Sequence, residues 1–411
     1  MTANVKKTRI QSIDVLRGFA LLGLLSMNII SFSMPNIAYY NPTVVMADAP
    51  LNMPIFSLMY VMADQKFMGI FSLLFGASTL LILQSSKKAS ISEIKLHFSR
   101  NFWLIIIGFL HGLLLWEGDV LLIYGLCALV LYFLKDFKPA ILFFAGLFLF
   151  LTPVAYNLVM GWLVLHLDQS STIWLQNYWS PPLHVLTQDI RLFQGDYMNQ
   201  LNYRIEGSEQ QYTDNDGYGF HGLGQLVDFF GRSIGMMLIG MAAFQKGVIG
   251  DLKPSIFYLN MCLLGFAIGI PLAILGLVTF HHYDFEANYS LFLGRIPNHF
   301  ATLFIVTGYV GAITLWCRTK TLRWLQNSLA AVGKMALTNY VAQTVIAGFV
   351  FYGFGLGLYG QVNRLELLLI MLAIWSLQIV GSVIWLRCYI YGPVEWIWRS
   401  LSYGRVAKIQ R

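Results

Sequence analysis

The run SIFYLNMCLLGFAIGIPLAILGLVTF, residues 255–280, carries no charged side chain. A helix needs about 20 apolar residues to cross the hydrocarbon core of a bilayer, so this stretch spans one with room for tilt. Lipid offers the backbone no hydrogen bonds, and a helix satisfies its amides within the segment. Working outward, comparable runs fall at roughly 17–34, 64–83, 101–116, 119–134, 139–165, 226–246, 293–316, 334–354 and 366–388. Together they predict an all-α, polytopic membrane protein with about ten transmembrane helices. The fifth run is long and carries Pro153, which predicts a kink or an interfacial extension there.

Composition points the same way. Of 411 residues, 57% are hydrophobic and 11% charged, whereas a soluble domain carries about 25% charged residues to coat its surface. Thirty Phe, 21 Tyr and 11 Trp suit the lipid core and its two aromatic belts. No polar linker divides the chain, so residues 1–411 read as a single transmembrane domain in contact with the lipid bilayer. The net charge of +7 is spread in short clusters between apolar runs, as topology signals are, which argues against a nucleic-acid partner. Cys127, Cys262, Cys317 and Cys388 have no paired spacing, so neither a disulfide framework nor a metal site is indicated. Lys6, Lys7 and Arg9 precede an apolar stretch without a small-residue cleavage site, the pattern of an uncleaved first helix.

Positive charge fixes the expected orientation. With both termini in the cytoplasm, 21 of the 27 Lys and Arg fall on the cytoplasmic side. The outer loops then hold Arg191, Arg204 and Arg364, while Lys66, Arg232 and Arg295 lie in or at the ends of helices. Residues 166–225 form the longest extracytoplasmic loop, with a turn at Asp214–Gly217 and an aromatic run, Trp174, Tyr178 and Trp179, suited to the membrane surface. The first outer loop covers roughly 35–63.

Polar residues inside the apolar runs concentrate at the outer helix ends, and intramembrane charge is costly enough to mark function. Asp64 and Lys66 open the second helix; His111, Trp116, Glu117 and Asp119 end the third and turn into the fourth. Asp228 and Arg232, four apart, share a face of the sixth, and Arg295 and His299 share one at the start of the eighth. Asn28 lies in the outer half of the first helix. Brought together, these residues make a polar pocket open to the periplasm. Blander readings stand beside each: an intrahelical ion pair for Asp228 and Arg232, snorkelling for Lys66, a hydrogen-bonded packing role for His111. His111 is the sharpest candidate, because imidazole is the usual general base near neutral pH.

On the cytoplasmic side Asp14 and Arg17 enter the membrane three residues apart, with Arg100, Arg318, Arg323, Lys334 and Arg399 on the same face. Such cations suit a phosphorylated cofactor such as coenzyme A, and anchoring to anionic lipid heads explains them more cheaply. Thr338, Asn339 and Gln343 lie in the ninth helix, either joining helices or lining a path. Gly353, Gly355, Gly357 and Gly360 form a loose outer turn without phosphate-binding spacing.

Several blocks resemble the YeiB-like family of bacterial inner-membrane proteins: RIQSIDVLRGFALLGLLSMNIISF (9–32), KFMGIFSLLFG (66–76), GFLHGLLLWEGDVLLIYG (108–125), GKMALTNYVAQTVI (333–346) and GPVEWIWRSLSYG (392–404). The opening D-x-x-R-G run, Asp14, Arg17 and Gly18, is more distantly similar to the transmembrane acyltransferase superfamily, which includes heparan-glucosaminide acetyltransferase. Those proteins pass an acyl group from cytoplasmic acyl-CoA to an acceptor outside. This chain departs from the O-acyltransferases, which carry a His where Asn28 stands.

The resemblance implies a multi-pass protein of the bacterial inner membrane. It also implies acyl transfer, with acyl-CoA as donor held by Asp14, Arg17 and Lys334. His111 then acts as base, oriented by Asp119 or Glu117. Asn28, Asp64, Lys66, Trp116, Arg295, His299, Asn339 and Gln343 contact the small-molecule substrate, and Lys66 or Arg295 stabilises the oxyanion. The alternative is a transporter or channel for a small solute, with the same pocket on an alternating-access path.

Overall fold

The computed structural model describes residues 11–88, 92–206 and 218–411. Lys6, Lys7, Arg9 and the Asp214–Gly217 turn lie outside the described residues. Helices make up the regular structure of the described residues, apart from one isolated antiparallel bridge between Tyr389 and Gln410. In chain order they are α1 Gln11–Ser33, α2 Asn52–Met62, α3 Lys66–Lys88, α4 Glu93–Leu114, α5 Leu121–Leu134 and α6 Pro139–Leu165. Next come α7 Gln169–Trp179, α8 Leu183–Phe193, α9 Tyr197–Glu206, α10 Tyr218–Gln245, α11 Ser255–His282 and α12 Ala287–Ser290. The chain closes with α13 Ile296–Arg318, α14 Arg323–Lys334, α15 Ala336–Phe351, α16 Arg364–Cys388 and α17 Pro393–Tyr403.

Among the described residues seven segments are long and apolar enough to cross a membrane: 11–33, 52–86, 139–165, 223–245, 255–282, 293–318 and 364–388. The other three expected spans correspond to α4, α5 and α15. The first carries Glu93, Lys95 and Arg100 in its early turns, and the other two are apolar but only 14 and 16 residues long. Two expected loops are more ordered than their composition suggested. Residues 52–62 of the first are helical and run on toward α3, with the left-handed Gln65 (φ 66°) at the break. The segment 166–225 contains α7, α8 and α9 and the start of α10. Its buried Trp179 donates to the Phe285 carbonyl instead of lying on a surface.

Burial ranks the helices. Of the apolar window of α1, 78% is buried, against 22% for α11 and 28% for α6 and α16. The first helix is therefore the axis of the fold. The others present Phe144, Phe148, Leu263, Leu264 and Leu377 outward, where lipid rather than water is their natural solvent.

Alpha-helix α1 can be central because it admits a backbone on one side. A Cβ on Gly18 would stand 2.0 Å from the Leu329 carbonyl oxygen of α14, and one on Gly333 would stand 2.0 Å from the Asp14 carbonyl oxygen. The two glycines let α1 and α14 touch main chain to main chain, as small residues do at intramembrane helix contacts. Polar side chains fasten α1 on another side. Gln343 of α15 donates to the Leu21 carbonyl at 3.2 Å and to Gln378 Oε1 of α16 at 3.0 Å. Asn339 donates to Ser382 Oγ at 2.9 Å, and Gln378 donates back to the Asn339 carbonyl at 2.7 Å.

Helix ends are capped by distant and local groups alike. Asn363 and Glu366 form a capping box on α16. The first amides of α15 are capped from elsewhere, because Glu395 of α17 accepts from the N–H of Leu337 at 2.6 Å and of Thr338 at 3.0 Å. Burial raises the Glu395 carboxyl above its ordinary range, and those hydrogen bonds oppose the shift.

Candidate functional site

Where α1 ends, the fold opens into a cavity of about 360 Å³. Its polar wall comes from seven separate places: Asn28 of α1, Asn36, Tyr39 and Tyr40 after it, Gln65 before α3, Glu117 in the turn from α4 to α5, Asn157 of α6, Asp228 of α10 and Arg295 before α13. Phe67, Trp116, Trp174, Tyr178 and Phe292 supply aromatic faces. Of the residues expected to hold substrate, Asn28, Trp116 and Arg295 therefore share one cavity, and Glu117 joins them. Burial pushes the Glu117 carboxyl above the usual carboxylate range, against its own backbone N–H, Arg204 and the Asn36 side chain.

A smaller chamber of about 40 Å³ continues inward and shares Met27, Tyr39, Tyr40, Gln65 and Arg295 with the large cavity. Charge is dense here. Asp64 accepts from Tyr39 Oη at 2.9 Å and from Asn298 Nδ2 at 2.7 Å. The Lys66 ammonium, fully buried, donates to the Tyr60 carbonyl at 2.8 Å and to Asn298 Oδ1. One amide thus joins a carboxylate and an ammonium that stand two residues apart in sequence. Tyr39 keeps its proton for this network, since burial first and Asp64 next hold its phenol well above its ordinary value. Asp228 is bonded by Arg232 Nη2, the intrahelical pair expected from their spacing. His299 Nε2 faces the Phe150 carbonyl at 2.7 Å, so that nitrogen carries the proton and Nδ1 is left with the lone pair of a neutral ring.

His111 is placed elsewhere. Its Nδ1 lies 2.9 Å from Asp119 Oδ1, its Nε2 lies 2.9 Å from Thr344 Oγ1, and its side chain is 2% exposed. Asp119 Oδ2 in turn accepts from the Leu122 N–H at 2.8 Å. Nδ1 and Oδ1 approach closely without hydrogen-bond alignment, Nε2 is engaged by Thr344, and neither His111 nor Asp119 lines the cavity beside Glu117. Asn339 and Gln343 are likewise engaged in joining helices and do not line it.

At the opposite end of α1, Asp14 and Arg17 are 3.6 Å apart, and Arg17 Nη2 donates to Ser78 Oγ of α3 at 3.0 Å. Lys334 follows Gly333, which packs on the Asp14 backbone. The other cations expected on this face are spread over local partners. Arg318 holds Asp251, with Nε at 2.9 Å and Nη2 at 2.6 Å, while Arg100 stacks over Trp398 and Arg399 over Tyr391 and Tyr403.

Sequence reading missed several members of the site. Tyr39, Tyr40 and Gln65 sat in or beside an assumed loop, and Asn298 was overshadowed by its neighbour His299. By its place in the sequence Arg364 is an outer-loop cation. It is buried, donating from Nε to Asn52 Oδ1 at 2.9 Å and from Nη2 to the Ala38 carbonyl at 2.6 Å, and so fastens the 36–62 region to α16. A lone Arg at the start of an apolar helix beside Asn363 was the available signal.

Architecture and site define a multi-pass α-helical membrane protein with a polar cavity at one end of its bundle. Residues 243–405 match the family model described as "Protein of unknown function (DUF418)". The chain is 31% identical over 395 residues to "Uncharacterized protein YeiB" of Escherichia coli (strain K12), covering 95% of each chain. It is 27% identical over 404 residues to "Uncharacterized protein YxaH" of Bacillus subtilis (strain 168), covering 96% of this chain and 94% of the relative. The chain belongs to the YeiB-like family.

Proposed function

We propose that this is an acyltransferase-like protein of the bacterial inner membrane that uses the large cavity to hold an extracytoplasmic acceptor. The observation that carries this reading is the presence of a carboxylate, Glu117, and a guanidinium, Arg295, in the wall of one cavity. Glu117 takes the proton of an acceptor hydroxyl or amine as the acceptor attacks the thioester carbonyl of acyl-CoA. Arg295 stabilises the oxyanion, the C–S bond breaks, and coenzyme A leaves as the thiol once it has gained the proton. Glu117 is preferred to His111 as base because it reaches the cavity. Asp14, Arg17 and Lys334, at the other end of α1, are the cations for the donor's phosphates.

The topology that accompanies this reading has ten spans, adding α4, α5 and α15 to the seven long segments, with both termini cytoplasmic. Its support is that the alternation brings every cavity-lining segment to one side. The end of α1, the starts of α3, α5, α10 and α13, and the far half of α6 then all face the periplasm. The distribution of Lys and Arg agrees.

The test is acyl-CoA binding to the purified protein by calorimetry, followed by release of free coenzyme A in the presence of hydroxyl and amine acceptors. Saturable binding lost in Arg17→Ala, with thiol release lost in Glu117→Gln, is the expected result. Well-folded protein that binds no acyl-CoA of any chain length overturns it. A second reading, transport of a small solute, is favoured by the charges buried behind the cavity, which an acceptor site open on one side does not require. Solute flux in proteoliposomes that ignores acyl-CoA would select it.

A further inference from the structure

We infer that the inner chamber is a binding site for a single oxyanion, the carboxylate or phosphate end of a molecule whose body occupies the large cavity. This goes beyond the acyl-transfer reading and does not rest on it. The first argument is charge. Asp64, Arg232 and Arg295 line the chamber, Lys66 is tied to Asp64 through Asn298 behind it, and Asp228 lines the adjoining cavity with Arg295. Asp64 and Lys66 are joined through Asn298, and Asp228 is held by Arg232. Arg295 is left over: among the described residues it has no ion pair and rests on the Tyr40 ring at 4.4 Å. With these five groups ionised the surplus is one positive charge, and a monoanion cancels it.

The second argument is unspent hydrogen bonding. Arg232 is 6% exposed, yet its Nε and Nη1 have no partner. Tyr60 Oη and Ser290 Oγ are in the same condition, at 6% and 0% exposure, and all three residues line the chamber. Buried donors without partners are costly and uncommon. The guanidinium hydrogens cannot accept, and the two hydroxyls can turn their protons inward, so the chamber offers donors to an acceptor-rich guest. Nε and Nη1 lie on opposite flanks of the guanidinium, so a carboxylate or phosphate oxygen takes a single charged N–H donor from Arg232 while Nη2 stays on Asp228. His299 Nδ1, also unpartnered, supplies one lone pair, which suits a guest with one nearby O–H or N–H. A volume of about 40 Å³ admits such a group and little more, and the aromatic walls of the 360 Å³ cavity receive what is attached to it.

The test uses the full-length protein in detergent and calorimetric titration with charge series of matched shape: benzoate, benzamide and benzamidine; acetate and acetamide; and inorganic phosphate. At least one anion binds about tenfold or more tightly than its neutral counterpart, and benzamidine does not compete. Arg295→Gln, which removes no side-chain hydrogen bond among the described residues, loses that preference. So does the double variant Asp228→Asn/Arg232→Gln, which leaves no buried charge unpaired. Repeating the titration in nanodiscs separates the sources: suppression by phosphatidylglycerol but not phosphatidylcholine assigns the site to a lipid headgroup, and its absence to a soluble anion. The inference is overturned if no anion outbinds its neutral partner. It is equally overturned if the preference survives in both variants.

Discussion

His111 and Asp119 meet across the tight turn between α4 and α5, Nδ1 to Oδ1 at 2.9 Å, with both side chains buried. Nine residues of chain, 111–119, close on themselves there, and Thr344 of α15 completes the arrangement from the other nitrogen. The turn that carries Glu117 into the cavity is thus anchored by a pair that does not itself reach the cavity.

Removing either partner strands the other. Asp119→Ala or His111→Ala is expected to cost about 1–3 kcal/mol, the usual penalty for leaving buried polar groups without their partners. Thermal unfolding in detergent measures it. In a double-mutant cycle the second substitution costs much less than the first. Additive losses would show that the two side chains act independently.

Gly18→Ala forces a Cβ to within 2.0 Å of the Leu329 carbonyl oxygen, and backbone cannot give way as a side chain can. Loss of about 1–3 kcal/mol or more is expected, seen as aggregation on size-exclusion chromatography. Gly381→Ala in α16 is the control, since a Cβ there meets nothing within 4 Å. That variant keeps or slightly gains stability.

Burial raises the Glu117 pKa above its unfolded value of 4.5. A raised acid favours folding when protonated, so its stabilising contribution is complete below that value and is lost as pH rises through the folded pKa. Unfolding temperature measured upward from pH 4 should decline less in Glu117→Gln than in the parent. Transfer activity, which needs the carboxylate, should rise over the same interval in the parent. Identical pH profiles for the two proteins would mean that Glu117 is not perturbed.

Arg364→Met leaves the Ala38 carbonyl and Asn52 Oδ1 without their donor. About 1–3 kcal/mol is expected for each acceptor left unpaired. The loss falls locally, so limited proteolysis should reveal new cleavage between residues 36 and 62 before global unfolding. Unchanged protection of that segment would place its anchor elsewhere.

Much of this protein is written in its hydropathy. A run such as 255–280 in lipid has to be a helix, and 255–282 is one. The spacing of Asp228 and Arg232 announced their pairing, and the clustering of polar residues at helix ends announced a cavity at one end of the bundle. Other elements were not legible. Residues 52–62 look like the continuation of a Pro- and Asn-bearing loop, and they are helical because Tyr60 and Phe56 pack against Phe280 and Phe285 of a distant segment.

What the sequence by itself determined is therefore what depends on the solvent and on neighbours within a few turns: helix, span, and which ends carry charge. Tertiary structure decided the rest. Asn298 stands between Asp64 and Lys66 across 234 and 232 positions of chain. His111 is closed in by Thr344 while Glu117 reaches the cavity, and Arg364 turns inward. These outcomes depend on which helix faces meet, and a helical period of 3.6 residues specifies a face without specifying its partner.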